Sequence, residues 1–182
     1  MHNSILLLGG SIIKKWNTLK ISNKKYVIIN KGISRLVTKN LLSKKYLEKL
    51  YVQKCPKYII ICVGSNDMKY TSNDLTIDKV YLDKSLNNVI FFINILKKMF
   101  NNSKIIFISL IKSPYMYENN KIKNINYFNK KLSKICKLEK NVIYVNLNRY
   151  LDNKIYFYDK MHLNEYGYDI INKNINLYLS NK

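Results

Sequence analysis

Several residue types are scarce in this chain of 182 residues, and each scarcity excludes something. The three cysteines, Cys55, Cys62 and Cys136, are an odd number at spacings that suit neither a disulfide framework nor a paired-cysteine zinc site. They read as buried thiols in a reducing compartment. Of the two histidines, His2 lies at the terminus, so any histidine chemistry falls on His162. No run approaches the roughly 18 consecutive apolar residues of a membrane span. The opening MHNSILLLGG has neither the basic n-region nor the long h-region of a secretory signal, so the expected location is cytoplasmic. Asp and Glu number 11 against 32 Lys and Arg, a formal net charge of +21. Such a field attracts polyanions at low salt. Only Arg35 and Arg149 are arginines, however, and phosphate readers favour the bidentate guanidinium. Lysine pairs at 14–15, 24–25, 44–45, 97–98 and 130–131 are spread as on solvated helix faces. Lys, Asn, Ile and Tyr, all encoded by A/T-rich codons, exceed half of the chain, so coding bias contributes to the charge.

Glycine is scarcer than the average of about 7 per cent, with only Gly9, Gly10, Gly32, Gly64 and Gly167 present. What the chain does have is a series of short aliphatic runs: SILLL (4–8), YVIIN (26–30), YIIICV (58–63), KIIFISL (104–110) and NVIYV (141–145). Continuous runs of this kind fit parallel strands buried on both faces. Between them lie helix-period segments: Leu82, Leu86, Val89, Ile90, Ile93, Leu96 and Phe100; then Ile122, Ile125, Phe128, Leu132 and Ile135; then Leu163, Tyr166, Ile170, Ile171 and Leu177. Strands alternating with helices predict one domain over 1–182, a three-layer α/β/α sandwich around a doubly wound, five-stranded parallel sheet. SPYMYENNK (113–121) is the longest irregular stretch and falls after the fourth strand, at the carboxyl edge where such sheets bind ligands. Gly9 and Gly10, Gly32 and Gly64 follow the first three strands at that same edge.

In GGSIIKKW, Ser11 opens a helix directly after a strand, but the P-loop and dinucleotide glycine patterns are absent. Ser11 reads either as an N-cap or as a nucleophile on a sharp strand-to-helix turn. In VGSND, Asn66 and Asp67 read as turn formers, or Asn66 as a carboxamide donor to an oxyanion. In YDKMHLNEYGY, His162 is a capping or packed residue, or else a general base whose ring Asp159, three residues earlier, orients.

GGS near the N-terminus, NKGIS at 30–34, GSND at 64–67 and DKMHLNEYGY near the C-terminus together resemble the SGNH hydrolase superfamily of GDSL-like esterases and lipases. The four blocks span 11 to 168 in the family's order. The resemblance implies a flavodoxin-like fold and a serine esterase of small O-acyl esters, acetyl or short-chain, with no cofactor and no metal. Ser11 is then the nucleophile, His162 the base and Asp159 its orienting carboxylate. The amides of Ser11 and Gly32 and the side chain of Asn66 form the oxyanion hole. The expected partner is a small-molecule or glycan acyl ester, with weak polyanion binding through the lysine-rich surface. Gly10 departs from the aspartate usual in the first block, and Arg35 stands where a glycine is common. Arg35 faces solvent or binds an anionic substrate group. The alternative is a weakly active or inactive protein of the same fold that binds polyanions.

Overall fold

The computed structural model describes residues 3–16, 26–72 and 74–179; His2 and Lys24 and Lys25 lie outside them. Five parallel strands, β1 (Ser4–Gly9), β2 (Val27–Asn30), β3 (Tyr58–Cys62), β4 (Lys104–Ile108) and β5 (Val142–Val145), form one sheet in the order β2-β1-β3-β4-β5. Among the described residues six α-helices accompany them: α1 (Ser11–Lys14), α2 (Lys44–Glu48), α3 (Leu75–Met99), α4 (Pro114–Glu118), α5 (Ile122–Leu138) and α6 (Glu165–Leu179).

Side chains alternate across a strand, and here the alternation sorts the core into two halves. Leu6, Leu8, Ile59, Ile61, Ile105 and Phe107 pack with Leu82, Phe92 and Phe128 of α3 and α5. Ile5, Leu7, Ile60, Ile106 and Ile108 pack with Ile13, Ile171 and Ile175 of α1 and α6. The expected three layers are therefore present. Burial on both faces holds for β1 and β3, whose residues are all buried, and for β4 after its partly buried first residue, Lys104. It fails for β2 and β5, because edge strands have a helix or neighbour on fewer sides.

Three other expectations are corrected. Cys55 is exposed, since it sits in the loop before β3, while Cys62 and Cys136 are buried. The stretch 113–121 is not irregular throughout: Pro114 at the first helical turn starts α4, as its fixed φ favours. On α6 the inward face is Gly167, Tyr168, Ile171, Ile175 and Leu179, whereas Tyr166 and Leu177 are exposed. That face is rotated from the apolar count because it includes Asn172, whose Oδ1 accepts from the Trp16 indole at 3.0 Å.

Among the described residues no helix is long and apolar enough to cross a membrane.

Candidate active site

The carboxyl ends of β1 and β3 meet at Gly9 and Cys62, which pair across the sheet. A Cβ on Gly9 would lie 2.0 Å from the Cys62 carbonyl oxygen, and its φ of +149° is one that side chains disfavour. Glycine is thus required there, and the chain can turn at once. Gly10 donates to the Cys62 carbonyl at 3.1 Å and accepts from Lys14 at 3.0 Å, so it is the N-cap residue of α1. Ser11 is the first helical residue, not the cap. Its hydroxyl lies 3.2 Å from His162 Nε2. As the first helical residue, Ser11 also has an amide with no acceptor inside the helix.

His162 is held by a closed loop. Phe157 bridges Leu163, Tyr158 donates to the His162 carbonyl at 3.1 Å, and Asn164 donates to the Tyr156 carbonyl at 3.0 Å. Inside that loop Asp159 Oδ2 lies 2.7 Å from His162 Nδ1. Asp159 Oδ1 accepts from the amides of Met161 and His162 at 2.6 and 2.7 Å. Partial burial alone would push the Asp159 carboxyl up; the His162 ring and the two amides outweigh it and hold the group down at about 2. Tyr158 stacks on the imidazole with ring centroids 5.7 Å apart, and the Lys15 ammonium bonds the Tyr158 hydroxyl and lies over its ring.

Asn66 enters from the end of β3. Its Nδ2 donates to the Leu36 carbonyl at 3.1 Å, which leaves the second N–H of the carboxamide for another acceptor. A Cβ on Gly10 would meet only this Nδ2, at 3.3 Å, so close packing does not demand glycine at this position. Asp67, 1 % exposed, clamps the same loop: it accepts from the Thr38 amide at 3.0 Å, from Thr38 Oγ1 at 2.6 Å and from Ser85 Oγ at 3.1 Å. Burial pushes the Asp67 carboxyl up, and the bonds from Thr38 and Ser85 oppose that rise. Asp67→Ala would strand these buried donors, and we expect it to lower stability by roughly 3 kcal/mol in urea denaturation.

Gly32 has a different place from the one expected. Its amide donates to Asn30 Oδ1 at 2.9 Å, and a Cβ there would lie 2.4 Å from the Lys14 nitrogen. Close packing on α1 accounts for this glycine, and its N–H is already engaged. Arg35, by contrast, has the left-handed φ of +62° that favours glycine, and it immediately precedes Leu36 on the wall of the cleft. Among the described residues no backbone acceptor takes the Arg35 amide. Its side chain is exposed.

The cleft is lined by Gly10, Ser11, Asn66, Ile111, Ser113 and Met116, among others, and amounts to about 20 Å³. That is room for one water-sized group. Ser113 and Met116 at its wall belong to the stretch 113–121 that the sequence places at this edge, though neither is marked individually there, and Met161 has no sequence signal of its own. Among the described residues no group of three His, Cys, Asp or Glu side chains could hold a metal ion.

A family model for GDSL-like lipases and acylhydrolases matches residues 16–175, so Ser11 falls outside the matched span and its place rests on geometry. No curated protein matches. Among solved structures, a protein from Streptococcus pneumonia assigned as a platelet activating factor is 21 % identical with a TM-score of 0.79, covering 98 % of this chain and 85 % of its own. An acetylxylan esterase from Geobacillus stearothermophilus, in a catalytic mutant, is 16 % identical with a TM-score of 0.75 over 100 % of this chain and 97 % of its own. A member of the lipolytic G-D-S-L family from Veillonella parvula is 14 % identical with a TM-score of 0.73, over 98 % and 99 %. At these identities the likeness is one of fold.

Proposed function

The chain belongs to the GDSL-like lipase/acylhydrolase family, and from that premise we propose that this ester-bond hydrolase is a serine esterase of small O-acyl esters, acetyl esters above all. The observation that carries the reading is the continuous chain from Ser11 Oγ through the His162 ring to Asp159, with contacts of 3.2 and 2.7 Å. Both fall within the reach that nucleophile activation requires.

In the first half-reaction Ser11 Oγ bonds to the ester carbonyl carbon while its proton passes to His162 Nε2. The carbonyl π pair moves onto oxygen, and Asp159 balances the imidazolium. Collapse re-forms the carbonyl and breaks the bond to the alcohol oxygen, which takes the proton from Nε2. Water then repeats the sequence on the acyl-enzyme, releasing the acid and restoring Ser11. The Ser11 amide and the second N–H of Asn66 receive the oxyanion. The further amide is that of Arg35 rather than Gly32, because Gly32 already donates to Asn30 and Arg35 holds the left-handed turn beside the cleft.

A small acyl group is favoured by the narrowness of the cleft beside Ser11, about 20 Å³ of space for water-sized groups. The acetylxylan esterase among the similar folds points the same way. The test is Asn66→Ala, which we expect to lower kcat on phenyl acetate by about 10²–10³-fold, the usual cost of one oxyanion donor. A change below threefold would remove Asn66 from the oxyanion hole.

A further inference from the structure

Ser113 stands at the N-cap of α4 with the extended backbone of a capping residue, φ −71° and ψ 160°. A serine there ordinarily turns its oxygen to an amide of the first helical turn. This one does not. The Met116 amide goes to the Ser113 backbone carbonyl at 2.9 Å, and the side chain makes no capping bond. Ser113 is 3 % exposed, its Oγ has no hydrogen-bond partner, and it lines the same cleft as Ser11 and Asn66. Buried hydroxyls are nearly always paired, because desolvating one without a partner costs free energy.

We infer that the Ser113 hydroxyl is a specificity-determining group that hydrogen-bonds the alcohol part of the bound ester, so that the preferred substrates are esters of polyols or sugars with a free hydroxyl beside the acyl group. This rests on the esterase reading above. The partner belongs to the alcohol because an acetyl group has one polar atom besides the ester linkage, its carbonyl oxygen, and the oxyanion donors take that. A neighbouring hydroxyl, both donor and acceptor, suits a serine Oγ that is likewise both. A site built to bond a substrate hydroxyl rejects the analogue that lacks it, since its own polar group is then left unpaired.

The test compares 2-hydroxyethyl acetate with propyl acetate, which differ by a hydroxyl in place of a methyl, using the full-length protein and its Ser113→Ala and Ser113→Thr variants. The unmodified protein is expected to favour the hydroxyethyl ester in kcat/KM. Ser113→Ala is expected to cut that preference about 10-fold, the larger loss falling on the hydroxyethyl ester. Ser113→Thr, which keeps a hydroxyl, is expected to keep the preference. A ratio untouched by Ser113→Ala, or both esters falling equally, overturns the inference alone. Turnover of neither ester by the unmodified protein overturns the esterase reading itself, and the inference with it.

Discussion

Replacing Ser11 by alanine is expected to lower kcat on phenyl acetate by about 10⁴-fold or more, the scale on which removal of a triad nucleophile acts. The change removes one oxygen from a half-buried position. It leaves the cap of α1 in place, since Gly10 is the N-cap residue and the Ser11 hydroxyl faces His162. Tm should therefore stay close to that of the unmodified protein while turnover disappears. That separation of stability from activity is what distinguishes a nucleophile from a helix cap. A capping serine would give the opposite pattern, a loss of about 1 kcal/mol of stability with turnover retained.

The second large effect is expected at Asp159. Asp159 Oδ2 faces His162 Nδ1 at 2.7 Å, and Oδ1 accepts from the Met161 and His162 amides at 2.6 and 2.7 Å. In Asp159→Asn the remaining oxygen stays with the two amides, so the new NH₂ faces Nδ1. Nδ1 must then accept, the ring proton moves to Nε2, and Nε2 can no longer take the Ser11 proton. The expected loss in kcat is about 10⁴-fold, the scale seen when a serine triad is forced into the wrong tautomer. Asp159→Ala should cost less than a tautomer trap if water can replace the carboxylate, so comparing the two variants tests the cause.

The same geometry sets the pH behaviour. With the Asp159 carboxyl held down at about 2, its ionised form is favoured by folding. The stability it contributes is present above the ordinary carboxylate range and is lost as pH falls towards 2. Because the Asp159 carboxyl is held down at about 2, its protonation should leave no inflection in kcat/KM in the ordinary carboxylate range of about 4; an inflection there that disappears in Asp159→Asn would contradict this.

Much of the fold was legible because the sheet centre reads as continuous apolar runs: β1, β3 and β4 are buried almost throughout, and their ends agree with the runs to within two residues. The face of α6 was not legible, because a buried Asn172 satisfied by Trp16 looks polar in sequence while the exposed Tyr166 and Leu177 look apolar. Ser11, Asn66, Asp159 and His162 could be singled out by residue type and order. Gly32 could not be placed that way, since a glycine required by close approach to Lys14 is indistinguishable in sequence from one that offers its amide to a ligand. Arg35 is the opposite case, a left-handed turn occupied by arginine, whose only sign in the sequence is that it stands where the resembled family commonly has glycine. The clamp from Asp67 to Thr38 spans 29 residues and leaves no local pattern to read.

The central claim, that Ser11 is an activated nucleophile, is tested most directly by treating the unmodified protein with an organophosphorus probe and mapping the adduct by mass spectrometry. One adduct per chain on Ser11, absent in His162→Ala, is the expected result. No adduct, or one on another residue that forms equally well without His162, would contradict it.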